Sequence, residues 1–412
     1  MITFYNLPAI TALHAEEYKG AISRVVDSGW FLQGRETEQF EKCYASYIGT
    51  RHCVGVGNGL DALCLILQAY KQLGSLSEGD EVIVPANTFI ATINAITLCG
   101  LRPILVEPTW EHLNLDISRV EEAVTPRTRA VITVHLYGRL SYSDALADIC
   151  KRHNLLLIED NAQAQGCRTL PHPTKDRLLN LTTGNSSNHN SQLSARPNGT
   201  LAPARILNSQ FDSRRTGSLG HAAAHSFYPA KNIGALGDAG AVTTDDDRLA
   251  ETVRSLANYG TKEKYVFSYV GRNSRISEID AAVLSIKLQY LEEDNHHRQQ
   301  IAACYYDTIN NPHVTLPQRL PDDCNVYHQF PILTPYRDSL RRHLLDCGIE
   351  TMIHYPVAPH RQQCYAATLG HLHLPITERI HACELSLPIS PVITLDDAAT
   401  IAQAINSFQP LS

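Results

Sequence analysis

Between about residues 40 and 245, short apolar runs alternate with stretches of helical periodicity, and this alternation constrains the fold more than any other feature of the chain. Residues 61–73, DALCLILQAYKQL, repeat apolar side chains at helical spacing, and EVIVP (81–85) has the character of a short buried strand closed by Pro85. The order then repeats: ATINAITLCG is expected to be helical, RPILVE a strand, SRVEEAV helical, AVITVHLYG a strand, SDALADICKRH a helix and LLLIED a strand. Strands linked through helices over such short connections require right-handed crossovers, hence an α/β fold whose sheet is mostly parallel and covered on both faces. In such a sheet, catalytic groups gather just beyond the carboxyl ends of the strands.

Residues 168–213 interrupt the rhythm; they are rich in Asn, Ser, Thr, Gly and Pro, lack amphipathic periodicity, and are expected to form a surface insertion. Beyond Tyr259 the pattern changes. A long helix is expected from Ser277, as its N-cap, to about Asp307, and after Pro312 VYHQFPIL and ETMIHYP suggest strands on either side of a helical RDSLRRHLLDCG. The expected organisation is a large domain over residues 1–258 and a smaller α+β domain over 259–412.

Composition narrows the function. A net charge of −7, with no block of Lys or Arg, argues against broad nucleic-acid binding. No run approaches the ~18 apolar residues of a membrane span, and the amino terminus lacks the form of a secretory signal. The 11 cysteines are scattered without a C-x-x-C pair, as in a reduced, cytoplasmic protein with buried thiols such as Cys64, Cys99 and Cys150. Among the 19 histidines, His296–His297 and His371/His373 have no carboxylate or cysteine at ligand spacing, so no metal site is expected.

Four segments could carry chemistry. In HSFYPAKNIGALGDAGAV, Lys231 lies between an apolar run and a glycine-rich turn, at the end of an expected strand. A lysine shielded from solvent can lose its proton and attack an aldehyde, although a loop-edge lysine is ordinarily solvated. LLLIEDNAQAQG places Asp160 at the end of a buried strand, with Gln163 three residues on. A carboxylate there can pair with the protonated ring nitrogen of a cofactor, or cap the next helix. In GVGNGLDAL, Gly57, Asn58 and Gly59 form a turn into a helix, either structural or a cradle for one phosphate. A dinucleotide fingerprint is excluded because Leu60 stands where glycine would be needed. In PANTFIAT, Phe89 could stack on a flat ring or simply pack.

GNGLDAL, PANTFIATINAI, HLYG, EDNAQAQG, TGSLGHAAAHSFYPAKNIGALGDAGAV, GRNSRISEIDAA and HYPVAPHRQQ occur in the order seen in the DegT-type (DegT/StrS) sugar aminotransferases. The chain resembles that family from Trp30 to about Pro391, apart from the insertion, and its SFYPAKNIGALGD and HYP segments are most similar to 3-aminotransferases acting on dTDP-3-keto-6-deoxyhexoses. The resemblance implies an aspartate-aminotransferase-like (fold type I) architecture dependent on pyridoxal 5'-phosphate (PLP). It implies that Lys231 binds the coenzyme covalently, Asp160 partners the pyridine nitrogen, Gln163 sits near the ring hydroxyl and Phe89 stacks on the ring. Asn58, Gly59 and Ser226 match phosphate contacts, and Asn273 in GRNSR matches an asparagine that reaches the phosphate of the neighbouring subunit, implying a homodimer. His354, Tyr355 and His360 match substrate-side residues, and Tyr228 is a candidate to join them. Leu60, beside the phosphate contacts, replaces the usual threonine and removes one hydroxyl donor; Asn161 and Arg139 also depart from the pattern without removing a catalytic group. The implied reaction moves nitrogen from L-glutamate to a nucleotide-linked keto sugar, for deoxyaminosugars of O-antigen or other polysaccharides. The alternatives are a 4-keto or UDP-linked substrate, a PLP-dependent sugar dehydratase (whose relatives carry histidine where Lys231 stands) and a non-catalytic PLP-binding regulator.

Overall fold

In the computed structural model, residues 1–171 and 213–410 are described; most of the expected insertion lies outside them. Seven strands form the main sheet: β1 (His52–Val56), β2 (Glu81–Pro85), β3 (Arg102–Val106), β4 (Thr128–Val134), β5 (Leu156–Asp160), β6 (Ala222–Ser226) and β7 (Gly240–Thr244). Their spatial order is β1-β7-β6-β5-β4-β2-β3. The β6–β5–β4–β2–β3 pairings are parallel, and only β7 runs against its neighbours, β6 and β1. The helices Gly59–Gln72, Ile90–Leu98 and Asp144–Arg152 supply crossovers between parallel strands. β6 and β7 are instead joined by a short loop, so β7 must return antiparallel, and this loop holds Lys231.

Alternate residues of the central strands enter opposite cores, as the two-residue period of a strand requires. Val82, Val84, Ile132 and Ile158 pack with the helix Gly59–Gln72, while Ile83, Val131 and Leu157 pack with Leu146 and Ile149 of the helix Asp144–Arg152. A two-stranded hairpin, β8 (Thr261–Glu263) with β9 (Val266–Phe267), stands exposed after the main sheet. A second sheet pairs β10 (Phe330–Leu333) with β11 (Glu384–Leu387) antiparallel, over a core that includes Leu340, Leu344, Ile401 and Ile405. The helix Glu278–Thr308 is capped by Ser277, whose side chain accepts from Asp280 N–H. It reaches from the core of Phe40 and Phe227, which takes Leu284 and Leu291, to the core under the second sheet, which takes Ile301 and Tyr305. No described helix is long and apolar enough to cross a membrane.

Several sequence expectations need correction. SRVEEAV forms two short 3-10 turns, Ile117–Arg119 and Glu121–Ala123, because Pro126 ends a segment too short to nucleate an α-helix. The AVITVHLYG strand stops at Val134, since Tyr137 and Gly138 take positive φ. In VYHQFPIL only Phe330–Leu333 is a strand; Val326 N–H turns to Gly138 O and Tyr327 has φ 45°. ETMIHYP makes only an isolated bridge, Met352 to Ser386, because the backbone of His354 is taken by the side chains of Glu384 and Tyr137. Lys231 lies not at a strand end but in the turn after β6, which ends at Ser226.

Candidate active site

The carboxyl ends of β1, β2, β4, β5 and β6 lie along one edge of the main sheet, and the candidate residues issue from them. Asp160 is the last residue of β5 and is buried. Its oxygens accept from Thr92 Oγ1 at 2.7 Å and from Ala162 N–H at 3.2 Å. Thr92, in the first turn of the helix after β2, lies 2.9 Å from Thr88 Oγ1. Burial raises the carboxyl above its ordinary range, against the lowering effects of Thr92, Ala162 N–H and the charge of Lys231. A cationic ring nitrogen is the kind of partner that would restore full ionisation.

Lys231 N–H donates to Tyr228 O at 2.8 Å, and Ala235 N–H closes the loop onto Phe227 O at 2.7 Å. A Cβ at Gly234 would fall 2.3 Å from Pro229 O, so only glycine permits this closure. Burial lowers the Lys231 amine to about 8, with Asp160 acting in the opposite direction. The side chain keeps partial exposure, as an amine that must meet an incoming carbonyl requires.

Asn58 caps the helix Gly59–Gln72 by accepting from Asp61 N–H at 2.8 Å. The N–H groups of Gly59 and Leu60 are left without an acceptor among the described residues, at the positive end of the helix. A Cβ on Gly59 would lie 2.7 Å from Ser226 Cβ, and one on Gly240 would lie 2.5 Å from the Asn58 carbonyl carbon. Asn58, Gly59 and Ser226 therefore form one close-fitting cradle at the start of the helix. Leu60 contributes only its N–H, its side chain packing on the core. Replacing Gly59 with alanine is expected to push Ser226 away and weaken coenzyme affinity by about tenfold, measured by fluorescence titration of the apoprotein.

The ring-facing candidates also converge. Gln163 Oε1 accepts from Tyr137 N–H at 2.6 Å, and its Nε2 donates to Tyr355 Oη at 3.2 Å. The rings of Phe89 and Tyr355 are 5.2 Å apart, and Phe89 remains 48% exposed. His354 is buried, its carbonyl accepts from Tyr137 Oη at 2.7 Å, and its pKa is lowered to about 4 by burial and then by the charge of Lys231.

Three candidates stand apart. His360 is fully buried with Nε2 3.0 Å from Glu378 Oε1, and its Nδ1 has no partner among the described residues. Asn273 is exposed, its side-chain oxygen accepting from Arg275 Nη2 at 2.8 Å. Tyr228 begins the Lys231 turn but is 55% exposed.

Sequence reasoning passed over Thr92, Tyr137 and His328. Thr88 and Thr92 stand four apart at a helix start, a spacing that could have drawn attention to both. His328, with Nδ1 3.1 Å from Asn232 Oδ1, has its pKa held well down by burial and then by Lys231. It carried no signal within a segment of strand character.

Residues 13–176 and 202–406 match the model of the DegT/DnrJ/EryC1/StrS aminotransferase family. The chain is 40% identical to a dTDP-3-amino-3,6-dideoxy-alpha-D-galactopyranose transaminase of Aneurinibacillus thermoaerophilus, over 99% of each chain. It is 39% identical to a dTDP-3-amino-3,4,6-trideoxy-alpha-D-glucose transaminase of Streptomyces venezuelae, over 99% of this chain and 96% of the relative. The crystal structure of S. venezuelae DesV in complex with a ketimine intermediate superposes with a TM-score of 0.84 at 39% identity, covering 98% of this chain and 97% of that one.

Proposed function

The chain belongs to the DegT/DnrJ/EryC1/StrS aminotransferase family, and from that premise we propose that it uses PLP to transfer the amino group of L-glutamate to C3 of a dTDP-linked 3-keto-6-deoxyhexose. The single observation that carries the reading is a half-buried amine, Lys231, within electrostatic reach of a buried carboxylate, Asp160, with both residues at the carboxyl edge of the sheet that also holds the cradle at Asn58, Gly59 and Ser226. These residues fit the coenzyme: an amine for its aldehyde, a buried carboxylate for its ring nitrogen and free N–H groups for its phosphate. When bound, the group supplies an electron sink that stabilises charge at the reacting carbon.

The chain's own residues do the rest. Lys231, neutral in an appreciable fraction near neutral pH, takes a proton at Nζ from the nitrogen-bearing carbon of the donor and, as general acid, delivers one to the sugar carbon that gains the nitrogen. Thr92 and Ala162 N–H offset part of the burial that raises the Asp160 carboxyl, and a protonated ring nitrogen would supply the opposite charge that holds it ionised. Gln163 and Tyr355 orient groups at the ring edge, and His354 lines the substrate side.

A homodimer is part of the proposal. Asn273 lies near a surface where Tyr265 (80% exposed), Val266, Phe267 and Val270 are open, the kind of apolar surface a second copy would cover.

The test is a panel assay with L-glutamate as donor against dTDP-3-keto, dTDP-4-keto and UDP-linked keto sugars, with products identified by mass and NMR. The dTDP-3-keto sugar is expected to turn over fastest and to gain nitrogen at C3. Faster amination of a 4-keto or UDP-linked sugar would reassign the substrate, and loss of water without gain of nitrogen would make the protein a dehydratase.

A further inference from the structure

We propose that Glu384, Ser386 and His354 form a proton relay in which the charge state of Glu384 selects the tautomer of His354. The relay thereby decides whether Nε2 of His354 offers the substrate a hydrogen-bond donor or an acceptor. The substrate-facing role of His354 rests on the function proposed above; the relay itself rests on geometry.

Glu384 and Ser386 stand two residues apart on β11 and so share one face of the strand. Both are fully buried. The segment before His354 is laid beside them by paired backbone bonds, Ser386 N–H to Met352 O at 2.7 Å and Met352 N–H to Ser386 O at 3.3 Å. Glu384 Oε2 accepts from His354 N–H at 2.5 Å. Its other oxygen, Oε1, lies 2.5 Å from Ser386 Oγ, and Ser386 Oγ lies 2.9 Å from His354 Nδ1. Tyr137 Oη donates to His354 O at 2.7 Å, which fixes the backbone from the other side. His354 Nε2 has no partner among the described residues.

A serine hydroxyl carries one hydrogen, and this settles what each charge state permits. With Glu384 ionised, Ser386 donates to Oε1 and accepts from His354 Nδ1–H, leaving a lone pair on Nε2. With Glu384 neutral, its proton sits on Oε1 because Oε2 already accepts from His354 N–H; it donates to Ser386, and Ser386 donates to Nδ1. The proton of His354 is then on Nε2. Passing between the two states, Nε2 releases one proton, Nδ1 gains the Ser386 hydrogen and Ser386 gains that of Glu384. One proton leaves, and the negative charge it leaves behind rests on Glu384, with no imidazolium formed.

The surroundings suit this exchange. Facing Glu384 are Arg337, from the helix Arg337–Asp346, and the phenols of Tyr137 and Tyr355; facing His354 is Lys231, with His328 in the same pocket. Burial raises the Glu384 carboxyl to about 8, over the lowering effects of Ser386, His354 N–H and Arg337. Burial and then Lys231 hold His354 near 4, so it stays neutral while Glu384 changes state.

The experiment follows the imidazole nitrogens of the PLP-loaded, 15N-histidine-labelled protein by long-range proton–nitrogen correlation from about pH 6.5 to about pH 9.5. The His354 signal is assigned by its loss in His354→Gln. In the unaltered protein the protonated nitrogen is expected to shift from Nε2 to Nδ1 as pH rises through about 8. In Glu384→Gln, whose amide N–H donates to Ser386 at every pH, the proton stays on Nε2; in Ser386→Ala, the pH-linked shift disappears. A single His354 tautomer throughout the range in the unaltered protein, or a shift that persists in either variant, overturns the relay. No sugar is turned over in this measurement, so its outcome is independent of the substrate panel above.

Discussion

Replacing Lys231 with alanine is expected to lower amino transfer by more than about 10,000-fold while leaving the fold in place. Two functions vanish with one side chain: the nucleophilic amine, and the general base and acid that moves the proton at the reacting carbon. Proton transfer by a positioned group alone contributes about 100- to 10,000-fold, so losing both roles exceeds the loss of any single hydrogen bond in the site. The fold should survive because the turn is held by backbone bonds, Lys231 N–H to Tyr228 O and Ala235 N–H to Phe227 O. Borohydride reduction of the unaltered holoenzyme should tether the coenzyme to the peptide containing residue 231, and reduction of the alanine variant should tether none. An alanine variant with undiminished turnover would remove the central residue of the proposed function. The pH dependence has a fixed sign: with the amine at about 8, the neutral nucleophile grows as pH rises toward that value. An ordinary lysine, near 10.4, would still be almost wholly charged there.

The parallel sheet was legible because its signal is collective. EVIVP, RPILVE and LLLIED are fixed as strands by length, β-branched content and the helices between them, and each forms within a residue of its expected bounds. The errors fall where backbone groups bond to side chains rather than to each other. ETMIHYP has the apolar and aromatic content of a strand, yet its role depends on Glu384, thirty residues from His354. The same reason hid Ser386 and Glu384 themselves, since ELSL is unremarkable as sequence and gains meaning only from what lies across from it. In the site, Lys231, Asp160, Gln163, Asn58 and Ser226 sit at strand ends and turns, where sequence position implies spatial position. His360 was singled out from the HYPVAPHRQQ match alone, and its Nε2 lies 3.0 Å from Glu378 Oε1, a partner eighteen residues away that the motif does not reveal.

Replacing Asp160 with asparagine is expected to reduce kcat by about 100- to 1,000-fold without loss of bound coenzyme, a smaller effect than that at Lys231. The cradle at Asn58, Gly59 and Ser226 and the amine of Lys231 do not depend on Asp160, so binding persists. What is lost is the negative charge that keeps the ring nitrogen protonated, and with it the capacity to hold electrons from the reacting carbon. Asparagine cannot restore that charge, and its amide N–H2 would compete with the Thr92 hydroxyl that now donates to Oδ2. A second consequence has a defined direction. Asp160 raises the Lys231 pKa against the lowering effect of burial, so removing the charge should move the Lys231 ionisation below about 8. The rate limb that follows this amine should therefore shift to lower pH in the variant even as the plateau falls. Thr92→Val keeps the charge but removes a bond that stabilises it, and should reproduce the loss of rate more weakly. A pH–rate series on the three proteins reads both effects together, and an asparagine variant with an unchanged plateau, or with its limb moved to higher pH, would show that the carboxylate does not face the reacting amine and ring as argued.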